Sequence, residues 1–283
     1  MKKWGFLFVI VACVVIALSN FTPKFKEDLN IKIIEDKVAF EQTKVIEVHK
    51  EQIYQGNLVL VNSEHPVHED SMKTDIVNVY EQPHLYSGFG LLDSSIMMSE
   101  ELIQSFSQMI MSAKEDGVSN FIINSGFRGF AEQDQLYQQM GADFALPAGY
   151  SEHNLGLSLD VGSTTTKMEW AEEGKWIEKN AWKYGFILRY PKNKTHITGI
   201  EYEPWHIRYV GLPHSAIMQN EDMVLEEYLE YLKDKKQLTV TVNGTKYNIR
   251  YYPITKSTTI QVPINDEYQI SGNNIDGIII TSN

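Results

Sequence analysis

The chain of 283 residues contains a single cysteine, Cys13. Disulfide bonds within the chain, cysteine-ligated zinc sites and a catalytic thiol in the folded part are therefore excluded. A chain of this length can be stabilised by its hydrophobic core alone. Basic clusters are also lacking, because 25 Lys and Arg stand against 37 Asp and Glu, for a net charge of −12. Since phosphate binding requires concentrated basic side chains, we predict that nucleic acid is not a partner.

Several catalytic motifs are absent as well. The sequence has no Ser-x-x-Lys and no Gly-x-Ser-x-Gly, so the serine mechanisms of penicillin-binding proteins and α/β-hydrolases are unsupported. It also has no Walker A motif, and no Gly-x-Gly-x-x-Gly opens a helix. Nucleotide binding through these motifs is therefore not predicted.

Residues 1–23 contain a long apolar run. Lys2 and Lys3 precede about 20 uncharged residues, which is the length of a helix that crosses a bilayer. The two lysines favour an N-terminus in the cytoplasm, so the rest of the chain is predicted to lie outside. We favour an uncleaved membrane anchor, because the run continues well past Cys13. The alternatives are a signal peptide cleaved near residues 17–19 and a lipobox that ends at Cys13.

Composition divides the rest of the chain into three parts. Residues 24–50 alternate charged and aliphatic side chains and are predicted to form a stalk that is partly helical. Residues 51–236 mix helical and strand patterns without regular β-α-β alternation, which predicts an α+β domain with a small antiparallel sheet flanked by helices. Residues 237–283 are rich in Thr, Val, Ile and Tyr and are predicted to form a small all-β module, with a type I′ turn at Asn243 and Gly244.

Two elements of the α+β domain are predicted from local signals. An apolar run at residues 57–61 is consistent with a buried strand. Ser99 is predicted to cap a helix that ends before Gly117, because apolar side chains recur between them at helical spacing.

The residues with metal-binding chemistry lie in two short strings, SEHNLGLSLD at 151–160 and EPWH at 203–206. They supply His153, Asp160 and His206. Two imidazoles and one carboxylate are the usual three-ligand set of a catalytic zinc, which leaves the fourth position for water. Leu157 and Leu159 alternate with Asp160, so we expect the leucines to face the core and Asp160 to face the opposite side of the strand.

Glu203 stands three residues before His206, and Pro204 follows it directly. Pro204 biases Glu203 away from a helix. On a straight strand, residues three apart would face opposite sides, so we predict a turn at Pro204. His206 would then begin a strand, Glu203 would reach over from the loop and Trp205 would point into the core. Glu203 is available as the base for a zinc-bound water, and Glu201 remains the rival candidate.

Arg128 is a further candidate. It follows Ser125 and Gly126 at a predicted strand-to-helix turn, from which a guanidinium can hold a carboxylate or an oxyanion through two hydrogen bonds. Gln133 lies five residues further on, early in the following helix.

Five motifs together resemble the VanY D-alanyl-D-alanine carboxypeptidases, especially the membrane-associated VanY proteins of glycopeptide-resistance gene clusters. The resemblance extends from about Gln55 to the last residue. Phe127, Gly129 and Ser158 stand where many members carry Tyr, Ser and Ala. The motifs are SGFR at 125–128 with Gln133, PAGYSEH at 147–153, GLSLD at 156–160, YGFILRYP at 184–191 and EPWHIRYVG at 203–211.

The resemblance implies the Hedgehog-like D-Ala-D-Ala peptidase fold and a zinc centre. The implied Zn²⁺ ligands are His153, Asp160 and His206. Glu203 is implied as the general base, Arg128 as the group that stabilises the oxyanion or the substrate carboxylate, and Gln133 and Ser151 as residues lining the substrate site.

The implied substrates are stem peptides of peptidoglycan precursors that end in D-Ala-D-Ala, from which the terminal D-Ala is removed. The implied location is the bacterial cell membrane, with the catalytic domain extracellular. An L,D-carboxypeptidase or a wall endopeptidase with the same zinc centre is the main alternative. A wall-binding domain without catalysis is the other.

Overall fold

The computed structural model describes residues 32–34, 43–141, 146–264 and 267–283. The membrane anchor predicted at residues 1–23 lies outside them. Among the described residues, no helix is both long enough and apolar enough to cross a membrane.

The strands and helices are numbered here in chain order. The strands are β1 (Lys32–Ile34), β2 (Thr43–Val48), β3 (Ile76–Asn78), β4 (Gly90–Leu91), β5 (Met97–Ser99), β6 (Phe121–Ser125), β7 (Ser158–Ser163), β8 (Phe186–Leu188), β9 (His206–Tyr209), β10 (Gln237–Val242), β11 (Thr245–Pro253), β12 (Thr258–Pro263), β13 (Tyr268–Gly272) and β14 (Gly277–Ser282). The α-helices are α1 (Glu100–Glu115), α2 (Phe130–Met140), α3 (Glu172–Asn180), α4 (Thr195–Thr198), α5 (His214–Asn220) and α6 (Leu225–Lys235). Short 3₁₀ helices lie at Lys50–Tyr54, Glu69–Ser71, Glu152–Asn154 and Ala181–Tyr184.

The first large sheet has the strand order β4-β6-β7-β9-β8. All its pairs are antiparallel except the edge pair β4 and β6. Leu159 and Ile207 face a core that also contains Phe106 of α1 and Ile177 of α3. The predicted α+β class with a small, mainly antiparallel sheet is confirmed.

Helix α1 follows the predicted signals closely. The Ser99 hydroxyl accepts a hydrogen bond from the Leu102 amide, as an N-cap does. Phe106 and Ile110 of its apolar stripe are fully buried. Gly117, just beyond the helix, has a φ of 84°, which a glycine adopts without strain.

The apolar run at residues 57–61 is buried but is not a strand, so that prediction is wrong. Most of its backbone hydrogen bonds are to side chains, although the Leu60 amide donates to the Asn273 carbonyl. The Leu58 amide donates to the hydroxyl of Ser271, and the carbonyls of Asn57 and Val59 accept hydrogen bonds from Arg208. An apolar run alone predicts burial, whereas the backbone conformation depends on the groups with which the segment forms hydrogen bonds.

Two segments from the predicted stalk are strands that belong to the C-terminal β module. Strand β1 pairs with β10 at the edge of the second large sheet, whose order is β1-β10-β11-β14-β13, and β2 pairs with β12. Val48 of β2 is buried against Val262 and Ile280 of the module. In Lys32–Ile34 and Thr43–Val48 the alternation of charged and aliphatic residues therefore reflects strands with one covered face, where a partly helical stalk was predicted for residues 24–50.

The β10–β11 hairpin has the predicted turn. Asn243 and Gly244 have φ angles of 50° and 84°, and both central residues of a type I′ turn require positive φ. The sequence did not predict β13, which pairs with β14.

One hydrophobic core joins helices α5 and α6 to the β module. Ile217 of α5 and Tyr228 of α6 are buried together with Val240, Ile249 and Ile279 of the module strands. The module sheet is therefore packed directly on the last helices of the α+β domain.

His214 lies in this shared core. Its ring nitrogens are 2.7 Å from the Tyr228 hydroxyl and 2.9 Å from the Thr281 hydroxyl, so the neutral imidazole has a partner on each side. Burial lowers the pKa of His214 to about 3. The unfolded chain binds this proton more readily than the folded chain.

We therefore expect acid to destabilise the fold through His214. The contribution of His214 is complete above the unfolded pKa near 6.5 and is lost as the pH falls towards the folded value. Between about pH 6.5 and pH 5 the unmodified protein should lose about 2 kcal/mol of unfolding free energy more than His214→Gln. Denaturant unfolding at several pH values measures this difference, and parallel pH profiles for the two proteins would contradict the assignment.

Candidate active site

Two adjacent strands bring the predicted carboxylate and one predicted histidine together. In the antiparallel pair β7 and β9, Asp160 lies opposite His206 and Ser158 lies opposite Arg208. Residues directly opposite each other share one face of a sheet. Leu159, between them in sequence, is fully buried on the other face. Asp160 therefore faces away from the leucines, as predicted, and lies beside His206.

His153 reaches the same place from the 3₁₀ turn at Glu152–Asn154. The Ser151 hydroxyl accepts a hydrogen bond from the His153 amide at 3.3 Å and so caps this turn. Gly156, with a φ of 80°, then returns the chain to β7. A side chain at Gly156 would also collide with Ile76, which explains why this turn uses glycine.

The three side chains form a compact ligand set. The distance from His153 Nε2 to Asp160 Oδ2 is 3.2 Å, and that from His206 Nδ1 to Asp160 Oδ1 is 3.1 Å. One ligand atom from each residue lies within 4.8 Å of the others. Tetrahedral zinc with bonds near 2.1 Å separates its ligand atoms by about 3.4 Å. The residues therefore fit a zinc ion.

Hydrogen bonds on the far side of each ring select the nitrogen that faces the metal position. His153 Nδ1 lies 2.6 Å from the Gly126 carbonyl and donates to it, which leaves Nε2 free as a ligand. A side chain at Gly126 would collide with the Met97 carbonyl, so only glycine allows the backbone at residue 126 to lie this close to Met97. His206 has the opposite arrangement, because its Nε2 lies 3.5 Å from Glu152 Oε2 and its Nδ1 faces Asp160.

The electrostatic environment favours a cation at this point. Although burial opposes ionisation of Asp160, contacts with His153 and His206 hold its pKa well below the usual range. Burial lowers the pKa of His206, but hydrogen bonds with Asp160 and Glu152 outweigh burial and raise it to about 9. A position where ionised carboxylates stabilise positive charge on an imidazole is also one that attracts a divalent metal ion.

Glu203 lies beside the ligand set on the predicted turn. The His206 amide donates to the Glu203 carbonyl at 3.2 Å, and His206 begins β9. Glu203 Oε2 is 3.8 Å from His206 Nδ1, and 27% of the Glu203 side chain is exposed. Burial raises the pKa of Glu203, with His206 opposing the shift and Asp160 adding to it. Glu201, the rival candidate, is exposed.

One prediction about this turn is wrong. Trp205 is 39% exposed and does not point into the core. Trp205 belongs to the turn that precedes β9, and Ile207 is the first residue of β9 to enter the core.

Arg128 is connected to the ligand set through the backbone of His153. The Arg128 amide donates to the His153 carbonyl at 3.0 Å. Its guanidinium donates to Gln133 Oε1 at 2.8 Å and to the Ser125 hydroxyl at 2.9 Å. In the described part of the chain no carboxylate forms an ion pair with Arg128, so its charge is available to a substrate. Buried Gln133 is in turn held by the Leu146 carbonyl.

The structure thus brings all seven predicted site residues into one region. It also contains charged residues that the sequence reading missed. Glu152 is fully buried between Arg189 and Arg208, next to His206. The ring of Tyr190 packs against the His206 ring with the ring centres 5.0 Å apart. The available signal was the placement of both arginines within apolar strand patterns, where an unpaired charge is costly.

A mixed α/β fold with two histidines and an aspartate converging beside a glutamate and an arginine defines a zinc metallopeptidase. The VanY family profile, described as D-alanyl-D-alanine carboxypeptidase, matches residues 95–212. The chain is also 60% identical over 266 residues to a D-alanyl-D-alanine carboxypeptidase of Enterococcus faecium, which covers 94% of this chain and 86% of that relative. The protein belongs to the VanY family of D-alanyl-D-alanine carboxypeptidases.

Solved structures agree with this assignment. The vancomycin resistance D,D-dipeptidase VanXYg, in complex with a D-Ala-D-Ala phosphinate analogue, has a TM-score of 0.74 and 32% identity, and covers 85% of this chain and 99% of its own. A mutant VanY D,D-pentapeptidase from the VanB-type resistance cassette, in complex with Zn(II), has a TM-score of 0.51 and 27% identity, and covers 61% of this chain and 98% of its own. The fold class and the zinc cofactor expected from the sequence are confirmed.

Proposed function

We propose that this zinc carboxypeptidase removes the C-terminal D-Ala from peptidoglycan precursor pentapeptides and so supports resistance to glycopeptide antibiotics. The observation that carries the proposal is the convergence of His153, Asp160 and His206 beside the half-buried Glu203. The E. faecium relative is named a D-alanyl-D-alanine carboxypeptidase, and the structure of VanXYg contains a D-Ala-D-Ala phosphinate analogue. Loss of the terminal D-Ala would remove the part of the precursor that glycopeptides bind.

In this proposal the ligand atoms are His153 Nε2, His206 Nδ1 and the Asp160 carboxylate. Bound zinc supplies a Lewis acid that lowers the pKa of a water molecule and polarises the scissile carbonyl. The chain supplies the orientation, because the Gly126 carbonyl and the Glu152 carboxylate each hold the outer nitrogen of one imidazole.

Glu203 acts as the general base. Its carboxylate lies next to the ligand atoms and accepts the proton of the attacking water. It then returns the proton to the amine of the departing D-Ala. A carboxyl group with a raised pKa suits this second step, since it keeps the proton taken from the water until the leaving amine accepts it.

Arg128 binds the negative charge of the substrate. Its two neutral partners, Gln133 and Ser125, fix the plane of the guanidinium without neutralising it. The group can therefore hold either the terminal carboxylate or the oxyanion that develops at the scissile carbonyl. Gln133 and Ser151 are assigned to the wall of the substrate site, where Ser151 also caps the turn that carries His153.

The domain organisation and location are part of the proposal. Residues 1–23 anchor the chain in the bacterial cell membrane, and residues 24–50 connect the anchor and also supply β1 and β2 to the β module. Residues 51–236 form the catalytic domain outside the cell, and residues 237–283 form the rest of the β module. The apolar composition of residues 1–23 supports the anchor. Cell fractionation of the full chain beside a version that begins at residue 24 tests it, because only the full chain should remain with the membranes.

Product analysis on defined stem peptides tests the proposed substrate. We expect release of D-Ala from pentapeptides that end in D-Ala-D-Ala, and little release from tetrapeptides. Release from tetrapeptides only would identify an L,D-carboxypeptidase. Cleavage within cross-linked walls would identify an endopeptidase, and wall binding without any product would contradict a catalytic role.

A further inference from the structure

A network of four charged side chains, three of them fully buried, lies directly behind His206. Arg189 Nε and Arg208 Nη1 both donate to Glu152 Oε1, at 2.8 and 2.6 Å. The other two nitrogens of the Arg189 guanidinium bind both oxygens of Glu226, at 2.9 and 2.7 Å. The side chains of Glu152, Arg189 and Arg208 are 0% exposed.

Stability alone is a weak reason for such a network. Removing charges from water costs several kcal/mol per ion, and buried ion pairs are often no more stabilising than apolar side chains of similar volume. The network is also balanced, because its two carboxylates match its two guanidinium groups. The contacts of the buried charges therefore give the better indication of their function.

The orientation of Glu152 indicates that function. Both arginines bind the same oxygen, Oε1, which leaves Oε2 directed at His206 Nε2, 3.5 Å away. The arginines are held in turn. Arg208 Nη2 donates to the carbonyls of Asn57 and Val59, and Arg189 is clamped by a carboxylate of helix α6. Glu152 therefore cannot rotate away without breaking several buried hydrogen bonds.

We propose that Glu152 is a positioning residue for the metal ligand His206. It accepts the Nε2 proton of the ring, which fixes the tautomer with Nδ1 facing the metal position. Its negative charge also makes Nδ1 more basic and therefore a stronger metal ligand. Arg189 and Arg208 hold the carboxylate in place, so the network links the metal site to helix α6 and to the buried segment at residues 57–61. The inference rests on the proposed role of His206 as a ligand.

Zinc affinity measures this role independently of turnover. Chelator competition should show that Glu152→Gln, which keeps the shape but removes the charge, raises the zinc Kd at least about 10-fold. The matched control is Glu227→Gln, which removes the neighbouring carboxylate of helix α6, one that binds Lys194 and lies outside the network. Its zinc Kd should stay close to that of the unmodified protein, although its stability falls.

A second variant separates positioning from folding. Glu152→Gln combined with Arg208→Met removes one charge of each sign, so that Arg189 and Glu226 remain as a balanced pair. This variant should also bind zinc more weakly, and its Co(II)-substituted form should have an altered visible absorption spectrum. An unchanged zinc Kd and an unchanged cobalt spectrum in either folded variant would overturn the inference. Failure of the unmodified protein to bind zinc would instead contradict the proposed function.

Discussion

Replacing Glu203 by glutamine should lower the kcat for D-Ala release by about 10²- to 10⁴-fold while zinc stays bound. Glutamine preserves the size of the side chain and the turn at Pro204, but it cannot accept the proton of the attacking water. Glu203 Oε2 is 3.8 Å from His206 Nδ1 and is not needed to hold the metal, because the ligand set is complete without it. Zinc analysis and D-Ala release on the same preparation measure both halves of this expectation.

The matched control is Glu201→Gln, two residues earlier in the same loop. Glu201 is exposed, so its replacement should leave kcat and zinc content near those of the unmodified protein. If the Glu203 variant kept its activity and the Glu201 variant lost it, the base would have to be reassigned to Glu201.

Replacing Arg128 by alanine should lower kcat/KM by about 10²- to 10³-fold, again with zinc content unchanged. The guanidinium projects from a turn whose backbone is bonded to His153, and its neutral partners leave the charge available to the substrate. The division between kcat and KM distinguishes its two possible targets. A fall in kcat indicates the oxyanion, whereas a rise in KM with kcat unchanged indicates the terminal carboxylate, which is bound equally before and during reaction.

Arg128→Lys is the control for this experiment. Lysine restores the positive charge without the planar fork, so it should recover only part of the loss. An alanine variant with an unchanged kcat/KM would remove Arg128 from the proposed mechanism.

The face of the strand on which Asp160 lies and the turn at Pro204 could be predicted from the sequence because each depends on local constraints. Strand alternation separates Asp160 from the two leucines beside it, and Pro204 prevents Glu203 from continuing a helix. These rules hold wherever the strands are placed in the fold. Similarly, Asn243 and Gly244 define a turn whatever lies on either side of the hairpin.

Features that depend on distant partners could not be predicted. The strand β1 has its partner in β10, about 200 residues away in the chain, so its charged and aliphatic pattern was also compatible with a stalk. The segment at residues 57–61 was predicted as a strand because an apolar run does not reveal that Arg208 binds its carbonyls. The role of Glu152 could not be predicted for the same reason, because its partner Arg208 lies in β9 and its partner Arg189 directly follows β8.

The choice between Glu203 and Glu201 as the base depends on both the sequence and the structure. From the sequence, Glu203 was favoured over Glu201 without being decided by the residues alone. The structure adds that Glu203 is half-buried beside His206, whereas Glu201 is exposed. Proximity to the ligand atoms, which only the folded chain defines, supports Glu203, and the substitutions above test it.

In the proposed mechanism, D-Ala release depends on one zinc ion held by His153, Asp160 and His206. The most direct measurement is a zinc titration of the chelator-treated protein, with D-Ala release from a D-Ala-D-Ala pentapeptide followed at each addition. Activity should rise in proportion to zinc and level off at one ion per chain, and His206→Ala should neither retain zinc nor regain activity. Full D-Ala release from the metal-free protein, or from the His206 variant, would contradict the account.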